Sequence, residues 1–239
     1  MHLKNIIFHP EKFPIHDRYP FNLPLYQQMK QLPITTPVTL FVGENGTGKS
    51  TLLDALVRKC GIHIWRDPER RRANYNPFET MLSEFIAVEW TEGQVPGSFF
   101  DSAVFQDFVQ MVDEWVAEDP GQLKYFGGQS LVTQSHGQSI ITYFKSRYKI
   151  KGIYLLDEPE TALSPRTQVE LLNILVQMSK AGHAQFIIAT HSPILMACPG
   201  ATIYSFDHIP VKPVKYEETA HYQMYKSFLE NKDRFLDTL

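Results

Sequence analysis

Apolar positions along the chain fall into two patterns. Val38-Thr39-Leu40-Phe41-Val42, Gly152–Leu156, Gln185–Ala189 and Ala201–Phe206 are short, nearly continuous apolar runs, the pattern of buried strands. Helical stretches alternate with them: Pro165 to Lys180, with proline near its start, and the short Pro193 to Ala197. Such alternation predicts a mostly parallel sheet covered by helices. Earlier, Leu3 to Phe8 and Phe85 to Trp90 read as strands, Leu25 to Leu32 as a short helix, and Thr91 to Gly97 as a turn. Val104 to Ala117 is amphipathic, with Val104, Phe105, Phe108, Met111, Val112 and Trp115 near one face. Pro120-Gly121 ends it, residues 122–134 form a loop, and Gly137 to Tyr148 reads as a second helix. Ala220 to Leu229 predicts a closing helix. No repeat, heptad array or low-complexity linker interrupts the pattern. The expectation is one α/β domain over residues 1–239, its core at 1–98 and 149–239 and a small helical lobe at about 99–148.

Composition narrows the class. With 43% hydrophobic and 21% charged residues over 239 positions, the chain can bury a core without disulfides or structural metals. A net charge of −3 gives no global attraction to nucleic acid, so any such contact must come from a local patch. Cys60 and Cys198 are far apart and lack metal-ligand spacing, which reads as reduced thiols in a cytoplasmic protein. Met1-His2-Leu3-Lys4-Asn5 leads into only three consecutive apolar residues, so no signal peptide is expected. No apolar run is long enough to cross a bilayer, and a membrane role would need a partner.

The chemistry-bearing stretch is Gly43-Glu44-Asn45-Gly46-Thr47-Gly48-Lys49-Ser50, a G-x-x-x-x-G-K-S phosphate loop. It lies between a predicted strand and a helix opening at about Thr51. There its glycines let backbone N–H groups wrap a phosphate chain and the helix start adds positive potential. Lys49 can reach the β and γ phosphates, and the Ser50 hydroxyl can ligate Mg²⁺. Ile153 to Leu156 ends in Asp157 and Glu158, the pattern of a Walker B strand. Asp157 would hold Mg²⁺ and Glu158 would polarise an attacking water. Alone, such a pair could equally be two solvated acids at a strand end. Phe186 to Thr190 ends in His191, which can either hydrogen-bond a γ phosphate or simply cap a strand. Gln134-Ser135-His136-Gly137-Gln138-Ser139 opens a helix and is either an anion-facing helix start or an ordinary cap by Ser135.

The order of these motifs resembles ABC-type ATPases. Ser135-His136-Gly137-Gln138 resembles their signature, with Gln134 for its leucine and His136 for its first glycine, and Glu160-Thr161-Ala162-Leu163-Ser164 looks like their D-loop. More closely, the chain resembles small bacterial ATPases of the RecF/SMC-like branch. Tyr19 to Pro24, Leu155 to Ser164, Ala189 to Leu195, Ile203 to Asp207 and Tyr216 to Thr219 carry this resemblance. It implies a P-loop ATPase that binds ATP and Mg²⁺ and dimerises around the nucleotide, with Ser135, Gly137 and Gln138 acting across the dimer. It also implies work in DNA maintenance, repair or defence. The nucleotide-binding subunit of an ABC transporter and an ATP-dependent switch for a partner nuclease or toxin are the alternatives.

Two departures bear on these alternatives. No clear Q-loop glutamine is present, Gln106 being the nearest candidate, and the chain has no room for coiled-coil arms. Arg58, Lys59, Arg66, Arg70, Arg71 and Arg72, near Trp65 and Tyr75, could meet a phosphate backbone, though Asp67 and Glu69 dilute them and a solvated loop is favoured. Asn231-Lys232-Asp233 lacks the position of a guanine-reading motif, so ATP is assigned over GTP.

Overall fold

The computed structural model describes residues 1–65, 76–102, 104–126 and 128–236. The strands are β1 (Leu3–Phe8), β2 (Gln31–Pro33), β3 (Val38–Val42), β4 (Ile86–Trp90), β5 (Gly97–Asp101), β6 (Gly152–Asp157), β7 (Ala184–Ala189), β8 (Thr202–Ser205) and β9 (Lys212–Val214). The helices are α1 (Pro24–Gln28), α2 (Lys49–Lys59), α3 (Phe105–Glu118), α4 (His136–Arg147), α5 (Pro165–Lys180), α6 (Pro193–Met196), α7 (Ala220–Glu230) and α8 (Lys232–Leu236).

The central sheet runs β5-β6-β7-β3-β8-β9, parallel except for β9. Its inner strands are mostly apolar because both faces are covered. Val38, Leu40 and Val42 of β3, Tyr154 and Leu156 of β6, and Phe186 and Ile188 of β7 enter one core with α3, α4 and α5. Their alternate neighbours Phe41, Ile153, Leu155, Ile187 and Ala189 enter a second core with α2 and the strands β1, β2 and β4. Strand periodicity sends successive side chains to opposite faces, so a five-residue run supplies two cores at once.

The second core is roofed by an antiparallel sheet, β2-β1-β4. One buried polar residue ties the two sheets together. Gln185 Oε1 accepts from the backbone N–H groups of His2 and Leu3, both at 2.8 Å, and its Nε2 donates to the Leu3 carbonyl at 2.7 Å. Gln185 is fully buried and hydrogen-bonded through both ends of its amide.

Four elements differ from the sequence pattern. Gln31–Pro33 is a strand and not the end of a helix, because α1 stops at Gln28 and the chain turns extended at Met29 to pair with β1. Gly97–Asp101 is an edge strand of the central sheet, where the pattern predicts a turn and then the lobe. It lacks a long apolar run because only Phe99 and Phe100 are fully covered. β9 and α8 add to the C-terminal part. No helix among the described residues is long and apolar enough to cross a membrane.

Candidate nucleotide site

The site sits at the carboxyl ends of β3, β6 and β7, where an open parallel sheet leaves a crevice. β3 delivers Val42 to Gly43, whose φ of +143° and close neighbours both require glycine. A Cβ there would lie 2.9 Å from Asp207 Oδ1, the oxygen that accepts the Glu44 N–H at 2.8 Å. Gly48 caps α2 at φ +100°, and a Cβ there would press on the Tyr26 hydroxyl at 3.0 Å and on Leu25. That hydroxyl donates to the Gly48 carbonyl at 2.5 Å, so α1 pins the loop's exit. The first helical bond of α2 is Leu52 N–H to Gly48 O at 3.0 Å, so the N–H groups of Lys49, Ser50 and Thr51 precede the ladder. Glu44, Asn45 and Gly46 are exposed at the tip, where Thr47 Oγ1 donates back to the Glu44 carbonyl at 2.8 Å. This cradle of glycines and leading N–H groups fits a polyphosphate.

Lys49 is only 4% exposed. Its Nζ donates to the carbonyls of Gly43 at 2.7 Å and Glu44 at 2.8 Å. Burial lowers its pKa, opposed by Glu158, Asp207, Asp157 and Glu44. The ammonium is therefore held inside the loop and ringed by carboxylates. The adjacent Ser50 hydroxyl is exposed and donates to Asp157 Oδ1 at 2.9 Å. Burial pushes the Asp157 carboxyl up to about 7, with Asp101 and Glu158 adding to the rise and the Ser50 hydrogen bond opposing it. A serine hydroxyl and a carboxylate in contact form an oxygen donor pair suited to a hard divalent cation.

Asp157 ends β6 in regular extended backbone, whereas Glu158 turns into the left-handed region at φ +43°, the sole non-glycine among the described residues with positive φ. Its N–H donates to the Ala189 carbonyl at 3.0 Å, and its own carbonyl accepts from Thr161 Oγ1 at 2.9 Å. Residues held in this region cost on the order of 1–3 kcal/mol and concentrate at functional sites. Beyond this turn Glu158 Oε1 lies 3.5 Å from His191 Nε2. His191 follows β7, and its backbone N–H donates to Glu160 Oε1 at 2.6 Å. Burial pushes the Glu160 carboxyl up, and this bond is the first of the contacts that oppose the rise.

Lys49, Ser50, Asp157, Glu158 and His191 thus converge. Ser135, Gly137 and Gln138 lie elsewhere, at the start of α4. The exposed Gln138 accepts the Ser135 N–H at 3.3 Å through Oε1, while the nearest neighbours of a Cβ on Gly137 would be Ala162, Leu163 and Thr167. The signature-like stretch therefore packs beside the residues after Glu158 and not over the phosphate loop. Gln106 lies in α3, and Arg66, Asp67, Glu69, Arg70, Arg71, Arg72 and Tyr75 lie outside the described residues.

Four neighbours of the site carry no sequence motif of their own. Asp101 pairs in register with Asp157 across β5 and β6. Asp207 holds the loop through Glu44, the Tyr19 hydroxyl meets Thr51 Oγ1 at 2.5 Å, and His221 of α7 meets His191 Nδ1 at 2.9 Å. The only sequence signal for Tyr19, Asp207 and the region before His221 is that they fall in or beside the resembling segments.

Comparison with known proteins agrees with this geometry. The family model described as "P-loop containing region of AAA domain" matches residues 21–58, and the one described as "AAA domain, putative AbiEii toxin, Type IV TA system" matches residues 139–197. A solved structure titled "An inward-facing conformation of a putative metal-chelate type ABC transporter" superposes with TM-score 0.53 at 19% identity, over 94% of this chain and 88% of that one. The SMC head domain from Thermotoga maritima gives 0.47 at 16% identity over 86% and 94%, and CbiO1 from Clostridium perfringens 0.48 at 21% over 100% of each; the fold comparison rests on the first. No curated protein matches the chain. The chain thus shares the mixed α/β fold of the ABC transporter structure, and two of its segments match models of AAA domains, one of them the P-loop region.

Proposed function

We propose that the protein binds ATP with Mg²⁺, hydrolyses it, and dimerises around it. The observation that carries this reading is the contact of Ser50 with Asp157 beside the Lys49 loop, with Glu158 and His191 facing one another at the adjacent strand ends. Lys49 would leave its loop carbonyls for the β and γ phosphates, exchanging neutral acceptors for anionic ones. Ser50 and Asp157 would hold Mg²⁺, which supplies charge neutralisation to the phosphates. Gly43 to Gly48 and Thr51 would line the phosphate chain. Glu158 would accept a proton from the water that attacks the γ phosphorus as the bond to ADP breaks. His191 would contact the γ phosphate and respond to its loss. Ser135, Gly137 and Gln138 would complete the site of a second copy, because their helix start is exposed and faces no phosphate loop of its own chain. Phosphate release from wild type, Lys49→Ala and Glu158→Gln tests the reading. Equal turnover in all three would overturn it.

The biological setting we favour is DNA maintenance, repair or defence in the cytoplasm, supported by the RecF/SMC-like motif order. Charge reversal of Arg70, Arg71 and Arg72 should lower DNA affinity and flatten its salt dependence. A wild type without DNA binding at low salt and without DNA-stimulated turnover would remove the DNA role. A second reading, an ATP-dependent switch for a partner toxin or nuclease, is favoured by the toxin-system description of the model matching residues 139–197. Turnover that changes only when such a partner is added would support it.

A further inference from the structure

His191 Nδ1 lies 2.9 Å from His221 Nε2, a short nitrogen–nitrogen contact that needs one proton between two rings. Both rings are partly buried, and burial is the leading cause lowering the pKa of each, so near neutral pH each imidazole carries a single N–H. The facing charges are Lys49, Glu44 and Glu158 around His191, and Glu44, Asp207 and Lys49 around His221.

Two arrangements satisfy that contact. In one, His191 Nδ1–H donates to His221. Its Nε2 then presents a bare lone pair to the Glu158 carboxylate 3.5 Å away, and His221 keeps a buried Nδ1–H with no hydrogen-bond partner among the described residues. In the other, His221 Nε2–H donates to His191 Nδ1. His191 then carries its proton on Nε2, 3.5 Å from the Glu158 carboxylate though not in a hydrogen bond, and His221 Nδ1 is left as a bare acceptor. Each arrangement leaves one buried N–H without a hydrogen-bond partner, but the second turns that N–H toward a carboxylate whereas the first sets a lone pair against it, which is repulsive, so the second arrangement is preferred.

We propose that His221 is a positioning residue: by donating from α7 it fixes His191 as an Nε2–H donor, aimed at the space between Glu158 and the phosphate loop. This rests on the ATPase reading for its consequence, but the hydrogen bond itself exists without nucleotide. α7 is held at that point by Thr219, which is buried and accepts the Tyr222 N–H at 3.3 Å. His191 is therefore oriented from α7, an element outside the phosphate loop, the Asp157-Glu158 strand end and the signature-like stretch.

Nitrogen-15 NMR on the nucleotide-free protein reads the bond directly. A coupling between His221 Nε2 and His191 Nδ1, with the proton on His221, is expected in wild type and absent in His221→Leu. A proton on His191 Nδ1, or no coupling in wild type, would overturn the proposal. Kinetically, loss of this one hydrogen bond in His221→Leu should lower kcat on the order of tenfold with KM for ATP nearly unchanged, and His221→Gln, which keeps an N–H donor, should restore most of it. Unchanged kcat in His221→Leu, or a loss shared equally by His221→Gln, would overturn the positioning role. A wild type that shows the coupling but hydrolyses no ATP would instead sink the ATPase reading and leave the pair standing.

Discussion

Two helix starts in this molecule, those of α2 and α4, have similar ingredients and opposite surroundings. Each offers leading N–H groups, a glycine and a hydroxyl near an anion-attracting helix end. At α2 the chain is enclosed: Tyr26 and Leu25 crowd Gly48, Asp207 holds Glu44, and Lys49 is folded inward. At α4 Ser135 and Gln138 are exposed, and Gln138 caps its own helix. A helix start becomes a phosphate site through what is built around it. The first is walled in by its own chain, while Ser135 and Gln138 at the second stand exposed.

The sharpest way to break that comparison is Lys49→Ala. Removing two charge-assisted hydrogen bonds to phosphate should weaken binding of a non-hydrolysable ATP analogue on the order of 10³-fold by isothermal titration. Wild-type affinity would mean that the α2 start is not the site. Next in size, Glu158→Gln should lower turnover about 10²–10³-fold while preserving ATP binding, and should trap a dimer visible by light scattering with Mg-ATP. Adding Ser135→Arg to that variant should abolish the dimer and change ATP affinity less than about twofold, because the α4 start contributes nothing to its own chain's loop. A dimer indifferent to Ser135→Arg would remove the difference between the two helix starts.

The smallest effect is one of pH. The Asp157 carboxyl rises from the ordinary 3.8 to about 7, so between those values the folded state holds more protons than the unfolded one. Without metal or nucleotide, this group makes stability fall as pH climbs from about 4 to about 7. Urea midpoints across that window should slope downward in wild type and flatten in Asp157→Asn. A flat wild-type profile would show that the carboxylate beside the α2 start is not strained by burial.

The sequence announces what is contiguous. The phosphate loop, Asp157-Glu158 and His191 each follow an apolar run whose two alternating faces serve two cores, so each strand and the residues at its tip are legible together. β5 escapes because an edge strand needs only Phe99 and Phe100 covered, and β2 because its three residues are extended only through pairing with β1. His221, Asp101 and Asp207 reach the site by tertiary placement, and no local spacing encodes a hydrogen bond between residues 30 positions apart.

The Gln185 clamp has a consequence for how the protein is made. Strand β1 can pair with β4 once about the first hundred residues have left the ribosome, but the amide that fastens it to the central sheet is synthesised 182 residues after Leu3. At about 5–20 residues per second, the first strand spends roughly 10–40 s without that fastening. Leu3, Ile6 and Phe8, all buried at the end, are during that interval surface for a chaperone to hold. Nascent chains stalled short of residue 185 should therefore be cut by protease near β1, and chains stalled well beyond it should be protected there.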